Sequence, residues 1–264
     1  MTSPDDSAAR GPAGAGPARA VSLTTDIGEG FGHWRLADDD SLLGIVTGAN
    51  IACGFHAGDP DIMRRTCATA VANGVSIGAQ VSYRDLAGFG RRFLDVARET
   101  LTNDILYQMG ALAAFAAAAG GKVDYVRAHG ALYNVSAKHS EHAAAIVEAT
   151  RLFDTDLPLL CQTGTETWRQ AQEAGIRTVA EAFVDRAYTS EGLLVPRTEP
   201  DAMLSDPGKR LPGPWTWCSR DGSTQSTGHQ YESRQMRCWS TATPLARWRS
   251  PGPPGRPWWM QASS

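Results

Sequence analysis

From Val21 onward, short apolar runs alternate with helical stretches, and this alternation limits the possible fold more than any other feature of the 264 residues. VSLTTD, IVTGANIAC, VSIGAQ, VDYVRAHG, LPLLCQ and IRTVAEAFVD read as strands. DPDIMRRTCATAVANG, ETLTNDILYQMGALAAFAAAAGG, SEHAAAIVEATRLF and TETWRQAQEAG lie between them and read as helices. Each intervening helix returns the chain to the same end of the sheet, so such strands pair in parallel and an α/β barrel is expected. The first of these helices has a clear start: Asp59 can cap free N–H groups and Pro60 suits the first helical position. Asn73-Gly74 marks its end.

Three segments follow from composition. Residues 1–20 are rich in Ala, Gly and Pro and are expected to form a disordered leader. Residues 21–207 form the barrel unit, and residues 208–264 are atypical. From residue 211 to 264 the chain holds six of its eight tryptophans and seven prolines but no Val, Ile or Phe, so it lacks aliphatic material for a core layer.

Several function classes are excluded. A net charge of -3 and a pI near 6.1 give no basic field for a phosphate backbone, so nucleic acid is not an expected partner. GALAAFAAAAG is too short for a membrane span and reads as a packed helix. The N-terminus lacks the apolar h-region of a secretion signal, which makes a cytoplasmic location the expectation. The five cysteines Cys53, Cys67, Cys161, Cys218 and Cys238 form no CxxC, as suits a reducing compartment. Cys53 reads as a small buried hydrophobe or as a reactive thiol.

Polar residues cluster where strands hand over to loops: Asp26 and Glu29; Asn50, His56 and Asp59; Gln80 and Asp85; His129 and Asn134; Glu181, Asp185 and Arg186. In a β/α barrel these positions converge on one rim, where such enzymes carry their chemistry. His56, His129 and Asp26 can hold a divalent metal or act as general acids and bases; a structural role for either histidine is the alternative. In DLAGFGRR, Arg91 and Arg92 can clamp a carboxylate or phosphate, or pair with Asp85 or Asp95. Glu181 and Asp185 can accept protons with Arg186 holding one of them ionised; a buried Asp–Arg pair that fixes the rim explains the pattern equally well. GEGFG lacks the spacing and lysine of a phosphate loop and reads as a strand-to-helix connection. Trp34, Trp168 and Tyr107 read as packing residues.

Taken together, TDIGEGFG, TGANIACGFHAGDP, SYRDLAGFGRR, YVRAHGALYN and EAFVDRAYTSEGLLVPR resemble the LamB/YcsF family, the A subunit of ATP-dependent 5-oxoprolinase, through residues 21–207. The resemblance implies a distorted β/α barrel related to the polysaccharide deacetylases, partner subunits B and C, and ATP-coupled opening of the 5-oxoproline lactam to glutamate. Carried onto this chain, it makes Asp26, His56, His129 and Asp185 the expected catalytic residues. Asn50, Arg91, Arg92, Tyr133, Asn134, Glu181 and Arg186 are the expected substrate-binding residues, and Asp26, His56 and His129 the expected ligands of a divalent metal.

The chain departs from the family pattern at Ser22 and Thr24 (Asp and Asn in the family), Gln80 and Val81 (His-Pro) and Arg127 and Ala128 (Lys-Pro). Glutamine neither shuttles protons nor ligates zinc well. The family's closing strand, with its His-Gly-Asp-Thr motif, and the final helix are also missing. Back-translating the tail with GC-rich codons and reading two nucleotides along yields AVLVHGDTPGAVAIARAAREAL, which points to a frameshift near Gly208 to Arg210. The alternatives are a metal-dependent deacetylase or amidohydrolase of the same superfamily, or an inactive frameshifted product.

Overall fold

The computed structural model describes residues 22–183, 185–189, 193–197 and 199–203, with the backbone of 225–226 and 229–230. The expected leader and, apart from those two backbone stretches, the atypical tail lie outside the described residues.

All six expected strands form: β1 (Thr24–Ile27), β2 (Gly48–Ala52), β3 (Ser76–Val81), β4 (Val123–Ala128), β5 (Leu159–Cys161) and β6 (Thr178–Ala180). The helices are α1 (Asp39–Leu43), α2 (Pro60–Ala72), α3 (Arg98–Ala118), α4 (Gly130–Ser136), α5 (Ser140–Phe153) and α6 (Glu166–Glu173). Helices α1 and α4 were not expected, because five and seven residues are too few to show a helical period. Asp59 caps α2 as anticipated, accepting from the Ile62 N–H at 2.9 Å, with Pro60 in the first turn.

The strands pair in parallel and in chain order, β1-β2-β3-β4-β5-β6. This sheet curls. Three strand spacings separate β1 from β4, about 14 Å in a flat sheet, yet Arg127 of β4 reaches Asp26 of β1 at 2.8 Å. The α/β expectation therefore holds as a six-stranded half-barrel clothed by helices.

Alternation sorts the strand residues onto two faces. On the outer face Ile27, Ile51, Ile77, Val126 and Leu159 join Met63, Cys67, Ile105, Leu112 and Ile146 of the helices in one core. The inner face is polar and layered. Asp26, Asn50 and Gly78 lie side by side with Tyr125, and one layer further along Ala52, Gln80 and Arg127 do the same. The Tyr125 ring fills the space over Gly78, where an added Cβ would lie 2.0 Å from it, and its hydroxyl donates to Asn50 Oδ1 at 2.8 Å. A register shift between Ile77 and Gly78 brings Tyr125 into that place, and the Asp124 carboxylate accepts the Ile77 N–H at 2.9 Å.

Among the described residues no helix is long and apolar enough to cross a membrane, and the alanine-rich stretch packs as the end of α3. Trp168 packs against the core as expected, whereas Trp34 and Tyr107 are exposed. Tyr107 instead stacks on Phe55, with ring centroids 5.5 Å apart.

Candidate active site

The site stands at the carboxyl ends of the strands, where inner-face polar residues meet the loops. His56 lies in the turn between β2 and α2, and His129 immediately precedes α4, its N–H donating to Val81 O at 2.8 Å. The two imidazoles stack, with centroids 4.1 Å apart and 14° between planes. Both are buried, His56 at 0% and His129 at 3% exposure.

The Gln80 carboxamide joins them. Its Oε1 lies 3.3 Å from His56 Nε2, and its Nε2 lies 3.0 Å from His129 Nδ1 and 3.1 Å from Glu29 Oε1. His129 Nε2 faces the Phe89 carbonyl at 3.1 Å. A carbonyl can only accept, so His129 carries its proton on Nε2 and its Nδ1 accepts from the amide. The amide oxygen then accepts from His56 Nε2–H. His56 Nδ1 is left buried without a partner.

Arg127 forms the second half of the site. It is buried, donates through Nε to Glu181 Oε1 at 2.7 Å and through Nη1 to Asp26 Oδ1 at 2.8 Å, and has the Tyr133 and Phe183 rings nearby, 5.2 and 5.4 Å from its guanidinium carbon. Asn50 adds a 2.9 Å hydrogen bond to Asp26 Oδ1. Burial disfavours the ionised Asp26, but the Arg127 charge, with His129 and Asn50, outweighs it and holds the carboxyl well below the usual range. Glu29 moves the opposite way, raised by burial and then by the Asp26 charge. Burial, and after it His129, pushes His56 down to about 3. The two carboxylates are the accessible end of the cluster, with side chains 34% (Asp26) and 19% (Glu29) exposed.

The expected residues are thus only partly gathered. Asp26, Asn50, His56, His129, Tyr133 and Glu181 meet around Arg127 and Gln80. Arg91 stands at the margin, exposed, with its guanidinium over the Phe89 ring at 5.0 Å. Four others are placed elsewhere. Arg92 pairs with Asp85, which also accepts the Gly88 and Arg92 N–H groups, so both side chains serve to fold the loop. The Asn134 side chain is exposed and donates back to Gly130 O within α4. Arg186 donates to the Ala202 and Val195 carbonyls, knitting together the segment after β6 rather than ionising an acid. Asp185 has no hydrogen bond to the histidine pair among the described residues. Cys53 is a buried hydrophobe: burial raises its thiol pKa and its Sγ donates to Ile51 O.

Glu29, Gln80 and Arg127 complete the cluster and were not among the expected catalytic or binding residues. Glu29, not Asp26, groups with both histidines: the three donor atoms lie within 4.8 Å of one another, a spacing consistent with a divalent metal. Direction is a separate test, and the arrangement described fails it. An imidazole lone pair lies in its ring plane, so an ion about 2 Å from each nitrogen must lie in both planes. Stacked rings 14° from parallel share no such point. The Gln80 amide, moreover, is hydrogen-bonded to all three donor groups.

The fold and site define a parallel β/α half-barrel protein with an acid, imidazole and guanidinium cluster at the strands' carboxyl ends, the location of the chemistry in barrel enzymes. The chain belongs to the LamB/YcsF family, whose sequence profile matches residues 21–234. It is 58% identical over 187 residues to the A subunit of the Mycobacterium avium 5-oxoprolinase, covering 71% of this chain and 74% of that one. The corresponding Kocuria rhizophila protein is 52% identical over 210 residues, covering 77% and 83%. The crystal structure of the lactam utilization protein from Thermus thermophilus superposes with a TM-score of 0.70 at 41% identity, covering 72% of this chain and 77% of that one.

Proposed function

We propose that this chain is the A subunit of a 5-oxoprolinase, a hydrolase that opens a cyclic amide. The observation that carries the reading is the 58% identity over 187 residues to the corresponding 5-oxoprolinase chain of Mycobacterium avium. The site supports it: two imidazoles, two carboxylates of different acidity and a fixed guanidinium are groups that can serve hydrolysis of an amide bearing a carboxylate.

A five-membered lactam resists water because attack sacrifices amide resonance. Transfer of the ATP γ-phosphoryl group to the amide oxygen makes the ring carbon electrophilic and the oxygen a leaving group. Water then adds, its proton passing to a base, the ring C–N bond opens as the nitrogen leaves protonated to give an acyl phosphate, and a second water hydrolyses that to the carboxylate and phosphate. In this reading His56, whose Nδ1 has no partner, takes that proton, with Asp26 and Glu29 stabilising the imidazolium. Arg91 takes the substrate carboxylate, and Asn50, Tyr133 and Glu181 shape the inner wall. Arg92, Asn134, Asp185 and Arg186 support the surrounding loops. ATP is handled by a cytoplasmic complex of this chain with subunits B and C, and residues 21–207 carry the contribution of this chain.

Co-expression with the products of adjacent genes, followed by assay of ATP hydrolysis dependent on 5-oxoproline, tests the reading. Glutamate formation that disappears on His56→Ala is expected. An assembled complex that ignores 5-oxoproline would overturn the proposal.

A further inference from the structure

We propose that the Gln80 carboxamide is a permanent occupant of the Glu29, His56, His129 triad, a positioning group that keeps the triad closed to divalent metal. The inference does not depend on the lactam reading, because it concerns only what the triad holds.

The amide is wholly buried and satisfies the three facing groups at once: its oxygen accepts from His56, and its two N–H groups donate to His129 and Glu29, at 3.3, 3.0 and 3.1 Å. A metal would have to capture the lone pairs of all three donors. His129 Nδ1 and Glu29 Oε1 already face an N–H, and His56 directs a proton, not a lone pair, into the cluster. The loop above resists rearrangement. Gly90 presses on the pair so closely that an added Cβ would lie 2.8 Å from His56 Cβ and 3.1 Å from His129 Cδ2, and Phe89 O holds His129 Nε2. The rings therefore cannot turn from stacked to convergent while the amide is in place. Glutamine is suited to this role because a primary amide offers donor and acceptor together, and it is a weak ligand itself.

The test uses the full chain, stripped with a chelator and then dialysed against zinc or cobalt(II). The unaltered protein should take up no stoichiometric ion and give no cobalt(II) ligand-field bands. Gln80→Glu removes the donor, adds an anionic oxygen at the same length, and should take up one equivalent of zinc and give those bands. Imidazole nitrogen NMR of the unaltered chain supplies a reading if the variant fails to fold: in both His56 and His129 the proton shared with the cluster should sit as the hydrogen bonds place it, on Nε2 with Nδ1 bare, unmoved by zinc. One zinc per unaltered chain that His56→Ala abolishes, or a protonated His129 Nδ1, would overturn the proposal. Loss of 5-oxoproline turnover alone bears on the functional reading and leaves this one standing.

Discussion

His56 and His129 lie face to face, ring centroids 4.1 Å apart, in a site closed to water on the histidine side. Two stacked imidazoles cannot share charge cheaply, and burial adds to the penalty. His56 is thereby lowered from 6.5 to about 3, burial being the larger cause and His129 the next.

That shift sets a pH dependence. The unfolded chain protonates this histidine below 6.5, whereas the folded chain resists until about 3. The stabilising contribution is therefore complete above pH 6.5 and is lost as pH falls towards 3, by about 1.4 kcal/mol per unit within the window. Urea unfolding of the intact chain between pH 7 and 4 should show this slope, and His56→Asn should flatten it. Parallel profiles for the two proteins would refute the assignment.

Arg127 is the group whose removal the fold should tolerate least. Truncation to Met leaves Asp26 and Glu181 facing each other's charge without a counterion, a loss of about 3–5 kcal/mol for a broken buried pair. Arg127→Lys should fall between, because one ammonium cannot reproduce the two-sided guanidinium fork. Urea midpoints that leave the Lys variant level with the native chain would show that the fork is not needed.

Part of this was readable in the sequence, for a physical reason. Periodicity is a local property, so the strands and the longer helices were visible, and Asp59-Pro60 announced its helix start. The positions of Asp26, Asn50, His56 and His129 at strand ends were equally local and pointed to a shared rim. Arg127 was hidden because its meaning lies in partners 101 and 54 residues away, and a lone arginine inside an apolar run gives no sign of which face it takes. Gln80 was visible as a departure from the family pattern but read as a loss. Only the geometry shows that an amide can bridge two imidazoles and a carboxylate. The charged run at Glu181 to Arg186 misled in the opposite sense: Glu181 turns to Arg127, and Arg186 spends its donors on backbone carbonyls.

The Gly78 and Tyr125 contact predicts a compensated defect. Gly78→Ala places a methyl 2.0 Å from the Tyr125 ring, so the ring must move and release Asn50. Overpacking of this kind costs about 1–3 kcal/mol. Tyr125→Ala clears the space, so the double variant should lose less than the sum of the single losses. Thermal melts of the four proteins close the cycle, and strict additivity would mean that the contact is not limiting.

The loop from Asp85 to Arg92 should couple folding of the rim to activity. Asp85 gathers the Gly88 and Arg92 N–H groups and the Arg92 guanidinium, and this turn sets Phe89 at a φ of 56° with its carbonyl on His129. Gly90 follows at a φ of +65°, a left-handed conformation disfavoured for residues with a side chain, and its position allows no Cβ: one would lie 2.4 Å from Ser82 Oγ and 2.8 Å from His56 Cβ. Gly90→Ala must therefore lift the loop from the imidazoles and free His129 Nε2. The core beneath is untouched, so stability should fall by only about 1–2 kcal/mol. A displacement of about 1 Å at the reacting groups lowers turnover by about 100-fold, which sets the expected fall in kcat of the assembled enzyme. Circular dichroism melts alongside steady-state kinetics separate the two effects, and a variant that melts early yet turns over normally would show that the loop serves the fold alone.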